Sequence, residues 1–181
     1  MTTPSIPLRG RWAQGLKPRF FTWVIADRLA CSERPGGFAR NHRKVRRQEE
    51  LIWLKHQGFT MVVSLLDSPH NLHAYEEFDI PFLRVPLGRS DEAVERLGHV
   101  YETIAALLDD PASRVLVHHE EFGDRVIGTL GGYLLYAGLI DDGTRAIQVI
   151  ERLTNRNLGA DGREIIAATS THELRRSSQA G

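Results

Sequence analysis

Apolar residues along the chain fall into short unbroken runs separated by longer segments of helical period. Residues 20–26 read as a first strand, and 59–66 have the continuous apolar character of a strand covered on both faces. Residues 80–86 and 114–118 are two further strands. Between them, 41–57 reads as a helix with Val45, Leu51, Ile52 and Leu54 on its apolar side. Gly58 is its stop, since glycine accepts a left-handed conformation cheaply. Residues 72–78 suggest a short helix. Ser90-Asp-Glu opens a longer one with a capping residue and early acids. Val94, Leu97, Val100, Tyr101, Ile104, Leu107 and Leu108 then keep a 3.6-residue period up to Asp110-Pro111. Further helices run from the end of a 119–125 loop to about residue 137, over 141–156, and from 161 to about 173. Arg34-Pro-Gly-Gly37 is a turn by composition. Strands alternating with helices predict an α/β sandwich around a central, largely parallel sheet.

The ends of the chain read differently. Residues 1–18 carry three prolines and form an irregular arm, with Trp12 and Leu16 available to pack it down. The folded unit is expected over 19–174, and 175–181 as a frayed tail. A chain of 181 residues is long enough for one domain with a full core, and 41% hydrophobic with 25% charged residues is ordinary for a globular protein. Lys plus Arg equals Asp plus Glu at 23 each, so no global basic excess points to nucleic acid. The single cysteine, Cys31, excludes an internal disulfide and a multi-cysteine zinc site, and points to a reducing, cytoplasmic setting. No 18-residue apolar run and no export signal stand in the sequence, so neither a membrane span nor secretion is expected. Arg40, His42, Arg43, Lys44, Arg46 and Arg47 form the one dense basic patch, with two readings. It receives an acidic, polyphosphate-like or membrane partner, or it is a solvated helix face offset by Glu49 and Glu50. Nothing in the sequence indicates an oligomeric state.

The chemistry concentrates in Arg114-Val-Leu-Val-His118-His119-Glu120-Glu121-Phe122-Gly123-Asp124-Arg125 and the apolar segment behind it. A strand, a tight polar loop and a helix build an anion cradle, because loop N–H groups and the positive end of the helix converge on one point. An arginine in the first helical turn adds a planar fork suited to phosphate oxygens. In parallel sheets ligands sit at the carboxyl ends of the strands, where this loop lies.

This stretch resembles the signature loop of the cysteine-based protein-tyrosine and dual-specificity phosphatases, V-x-V-H-C-x5-R-S/T-G. His118 matches the signature histidine and Arg125 the phosphate-binding arginine, while His119 stands where the nucleophilic cysteine is expected. The resemblance extends over about residues 19–170. It takes in the Trp23-Val-Ile-Ala-Asp-Arg-Leu-Ala opening with Ser32-Glu-Arg-Pro-Gly-Gly37, the segment 57–66, and Ile80-Pro-Phe-Leu-Arg-Val-Pro86. It implies the dual-specificity-phosphatase fold, and neither a cofactor nor a metal is expected.

The departures bear on activity. The thiolate is absent, Val126 replaces the hydroxyl residue after the arginine, and Phe122 and Ile127 replace glycines. Glu120, Glu121 and Asp124 put three carboxylates into a loop that ordinarily welcomes a dianion. At contact distance and an effective dielectric near 20, one carboxylate opposes a phosphate by about 4 kcal/mol. Together these imply a pseudophosphatase that binds a phosphorylated ligand or a protein partner through Arg125 and loop positions 119–124. The alternative is an active phosphomonoesterase with His119 as nucleophile and Asp91 as proton donor.

Each residue also has a plainer role. His119 fills the pocket floor, and Asp91 complements its helix dipole. Arg125 either forks a phosphate or pairs with Glu120, Glu121 or Asp124 and closes the cradle on itself. His118 braces the loop. Asp67, His70 and His73 follow the 59–66 strand, where they line the same cleft or make local turn bonds. His118 and His119 leave a strand toward opposite faces and so do not share an ion. Cys31 has no arginine at the family's spacing and reads as a small inert side chain.

Overall fold

Two short strands open the fold where the sequence pattern predicts one. The computed structural model describes residues 14–37, 44–88 and 90–171, with backbone alone for 90–94 and 171. Strand β1, Thr22–Ile25, turns at Asp27 (φ 56°) into an antiparallel β2, Leu29–Ser32. All four β2 residues are buried, so the segment shows no alternation that would mark it as a strand. There follow α1 (Lys44–His56), β3 (Met61–Ser64), α2 (His73–Glu77), β4 (Phe82–Arg84), α3 (Ser90–Leu108), β5 (Val115–His118), α4 (Asp124–Tyr136), α5 (Gly143–Thr154) and α6 (Ala160–Thr171). The sheet order is β1-β2-β5-β3-β4, parallel except for the β1–β2 pair. The α/β architecture with a largely parallel centre is therefore as expected. The predicted strands are longer than the observed ones, because apolar character reports burial and not pairing. Phe59 and Leu66 are buried beside β3 without belonging to it.

Alternation along the strands sorts the core into two layers. Val115 and Val117 of β5 pack with α3–α6, whereas Leu116 packs with Leu51, Leu54 and Tyr75 on the α1/α2 side. Two residues on from Leu116, His118 falls on that same side. Gly58 follows α1 at φ 73°, as the sequence predicts.

Helix α4 is the inner helix, and its glycines set how closely its neighbours approach. A Cβ on Gly128 would lie 2.6 Å from the Gly162 Cα and 2.7 Å from the Gly162 carbonyl oxygen. One on Gly132 would strike the Tyr101 hydroxyl, which is 2.9 Å from Thr169 Oγ1. The approach at Gly128 brings the first turn of α6 beside the start of α4.

Trp12 and most of the predicted arm, Arg40, His42 and Arg43 of the basic patch, and the 175–181 tail lie outside the described residues. Within them, the Leu16 N–H donates to the Glu49 carbonyl at 3.0 Å. Arg46 is bound to Glu33 and Glu50, each at 2.7 Å, and so is not a free solvated charge. No described helix is long and apolar enough to cross a membrane.

Candidate functional site

β5 ends by sending adjacent histidines to opposite faces. His118 turns into the α1/α2 layer, where its Nε2 lies 2.9 Å from the Tyr75 hydroxyl. The ring is fully buried, and burial pulls its pKa down from 6.5 to about 3, so it is neutral. On its other side the ring sits with Nδ1 3.4 Å from the His119 carbonyl oxygen, behind the start of the loop. His119 faces the other way, into a cleft of about 250 Å³ bordered by Glu120, Glu121, Gly123, Asp124, Arg125 and Asp161. Burial and then the Arg125 charge lower the His119 pKa below its ordinary value, and Asp67 and Glu120 only partly oppose them.

The positive side of the cleft comes from α4. Gly123, its extended N-cap (φ −137°), carries no side chain to cap the helix. The first helical bond runs from the Ile127 N–H to the Gly123 carbonyl at 3.2 Å. The N–H groups of residues 124–126 thus have no intrahelical acceptor, and the helix dipole adds to their attraction for an anion. Arg125 donates through Nη2 to the Gly88 carbonyl. The Gly88 N–H in turn donates to Asp67 Oδ1 at 3.0 Å, which fixes the segment on which the arginine leans.

The carboxylates of the loop border the same cleft, and two of them have partners other than Arg125. Glu120 is paired with Arg34 at 2.9 Å. Asp124 Oδ1 accepts the Gly159 N–H at 2.9 Å, at the start of α6. Glu121 is exposed. Among the described residues, none of the three pairs with Arg125, so the cradle is not closed on itself.

Phe122 does not border the cleft. Its ring is buried and stacks on Phe20 with centroids 5.3 Å apart. The Arg156 guanidinium lies 4.3 Å from the Phe20 centroid and 5.3 Å from that of Phe122, and Nη1 donates to the Phe122 carbonyl at 2.8 Å. Phe20 is 47% exposed and left-handed (φ 56°), an unusual state for an aromatic residue. The stack holds the outer side of the loop. Arg156→Ala removes a cation–π contact and a charged hydrogen bond, and is expected to lower stability by about 1–2 kcal/mol in denaturant unfolding.

The other sequence candidates fall around this centre. Asp67 and His70 brace neighbouring loops: Asp67 holds Gly88, and the His70 carbonyl accepts Arg34 Nη2 at 2.6 Å. His73 is exposed on α2, 3.8 Å from Glu77. The Asp91 side chain lies outside the described residues. Cys31 is fully buried in β2 and burial pushes its thiol up to about 12, so it supplies no thiolate. One residue bordering the cleft, Asp161, and one that holds a bordering residue, Arg34, were not apparent from sequence. Asp161 arrives through the close approach of α6 to α4. Arg34 stands in the sequence as part of a turn and of the Ser32–Gly37 segment of the resemblance, and its contact with Glu120, 86 positions on, leaves no local signal. Among the described residues, no group of three or more His, Cys, Asp or Glu side chains is arranged to hold a metal ion.

Comparison with known proteins gives the architecture its class. No family model matches the sequence. No curated protein matches it either. Among solved structures, kinase-associated phosphatase with a serine substituted for its catalytic-site cysteine superposes with a TM-score of 0.68 at 16% identity, covering 86% of this chain and 98% of that one. The fold is that of the protein-tyrosine and dual-specificity phosphatases. The core catalytic domain of the PP-IP phosphatase SIW14 from S. cerevisiae, in complex with citrate, shares this phosphatase fold at TM-score 0.63 and 15% identity, over 89% of this chain and 92% of that one. The human tyrosine phosphatase-like serine/threonine/tyrosine-interacting protein does so at 0.59 and 13%, over 81% and 93%.

Proposed function

We propose that the protein is a phosphatase-like binding module that takes a phosphorylated ligand into the 119–125 cleft without hydrolysing it. The observation that carries this reading is Arg125, which borders the cleft with no carboxylate of the described side chains paired to it, next to the uncapped start of α4. By the resemblance of 114–125, His119 occupies the place of the nucleophilic cysteine, and Val126 that of the assisting hydroxyl residue. Glu121 is exposed, so water screens its repulsion of an incoming anion. The phosphatase-like, interacting character in the name of the human neighbour fits the same reading. A cytoplasmic setting fits the lone buried thiol.

Calorimetric titration with tungstate, a phosphate mimic, tests the binding site. Saturable binding is expected in the wild type and in His119→Ala, with affinity about 10- to 100-fold weaker in Arg125→Ala. Equal binding by Arg125→Ala sinks the assignment.

A second reading draws on one observation, the lowered pKa of His119, which leaves a neutral nitrogen lone pair beside Arg125. In that case the imidazole nitrogen attacks phosphorus, an N–P bond forms and the ester P–O bond breaks. The leaving alcohol takes a proton from Asp91, and water then cleaves the N–P bond. Aryl phosphate hydrolysis abolished by both His119→Ala and Arg125→Ala is the outcome specific to this reading.

A further inference from the structure

Arg34 reaches Glu120, at the border of the cleft, from a turn that the protein fixes from two directions. Gly36 and Gly37 take φ of 93° and 86°, and the Gly37 N–H donates to the Arg34 carbonyl at 2.8 Å. The Gly36 N–H donates to the buried Glu50 carboxylate at 2.7 Å. Glu50 is itself held by Arg46 Nε at 2.7 Å, and Arg46 Nη2 reaches Glu33 at 2.7 Å. From this anchored turn Arg34, only 7% exposed, donates Nη2 to the His70 carbonyl and Nη1 to Glu120 Oε1. A guanidinium buried that deeply requires an anionic partner, because leaving it unpaired is strongly unfavourable.

Glu120 is less confined. Its side chain is 44% exposed and borders the same cleft as Arg125, and both charges act on His119. Among the described residues that border the cleft, Arg125 is the one cation. A carboxylate freed from Arg34 therefore has one place in the cleft to go.

We propose that Arg34 is a positioning residue for the anion site. It holds Glu120 to one side, keeps that carboxylate off Arg125, and so leaves the guanidinium to an incoming oxyanion. This rests on reading the cleft as an anion site, which deepens that reading by naming what keeps it open.

Tungstate titration of single and double variants reads the effect. Arg34→Gln removes the charge but keeps an amide that can donate to the His70 carbonyl. It is expected to weaken tungstate binding about tenfold or more. Glu120→Gln alone is expected to bind at least as well as wild type, and the Arg34→Gln/Glu120→Gln double variant to regain wild-type affinity. A double variant as weak as Arg34→Gln alone overturns the proposal, since Arg34 then acts by direct contact or by supporting the loop. Arg34→Met, which fills the buried space with an apolar stem, serves under the same outcomes should the glutamine variant fail to fold.

A cycle of denaturant unfolding with no ligand separates this proposal from the anion reading. Glu120→Gln and Arg125→Gln are expected to be additive when Arg34 is present, and coupled by about tenfold in the unfolding equilibrium constant when it is absent. Absence of coupling in the Arg34→Gln background overturns the gate whether or not wild type binds tungstate. Coupling together with no tungstate binding by wild type overturns the anion reading alone.

Discussion

Gly128→Ala is expected to lower the unfolding free energy by about 3 kcal/mol, against the ~1 kcal/mol that helix propensity alone would add in favour of alanine. The reason is that the new methyl meets backbone: the Gly162 Cα at 2.6 Å and its carbonyl oxygen at 2.7 Å. A flexible side chain could rotate aside, but a helix backbone must move as a whole. Gly162 has no slack of its own, since its added Cβ would lie 2.6 Å from Leu158 Cγ and 2.8 Å from the Asp124 carbonyl. Separating the helices would also carry Gly159 away from Asp124 and Asp161 away from the cleft. Gly143→Ala is the control. Its Cβ would find only ordinary contacts, 3.6 Å from Ile166 Cγ2 at the closest, and a neutral or slightly stabilising effect is expected. Chemical denaturation of the two variants beside wild type checks the difference. Equal effects would mean that α4 and α6 are not in close contact at Gly128.

Acidification is expected to destabilise the fold through His118 by up to about 1.4 kcal/mol per pH unit between pH 6.5 and about 3. In that window the unfolded chain takes up a proton that the buried, neutral imidazole refuses. The unfolded state therefore binds more protons, and stability falls as the pH falls. The contribution is flat above pH 6.5, where the imidazole is neutral in both states. His118→Gln keeps a polar group toward the Tyr75 hydroxyl and removes the titration. Its unfolding free energy is expected to depend less steeply on pH below 6.5 than that of wild type. Parallel slopes in urea titrations across that range would place a charged or exposed imidazole at 118.

Much of the architecture was legible because long periodic segments and unbroken apolar runs report directly on burial. Helix α3 and strands β3 and β5 fall inside the segments predicted for them, and α4 starts at Asp124, within the predicted loop. β2 was not legible, because four buried residues carry no period and its antiparallel partner is defined only by the turn at Asp27. At the site, strand alternation was enough to send His118 and His119 to opposite faces. The orientation of the loop carboxylates was not available in the same way. Glu120 is decided by Arg34, 86 positions away, and Asp124 by Gly159, 35 positions away. Local spacing carries no information about such partners, so a loop rich in acid reads as self-closing or as open with equal ease. Phe122 shows the same limit: it was read as a ligand-facing loop position, and its ring instead belongs to the stack with Phe20 and Arg156.

The claim that the cleft holds a phosphoryl group and leaves it intact is tested most directly by ³¹P NMR of the protein with an aryl phosphate, watched over hours. The expected result is a shifted or broadened ester resonance that tungstate restores, with no growth of inorganic phosphate. Steady release of inorganic phosphate by the wild type, absent in His119→Ala, would contradict it.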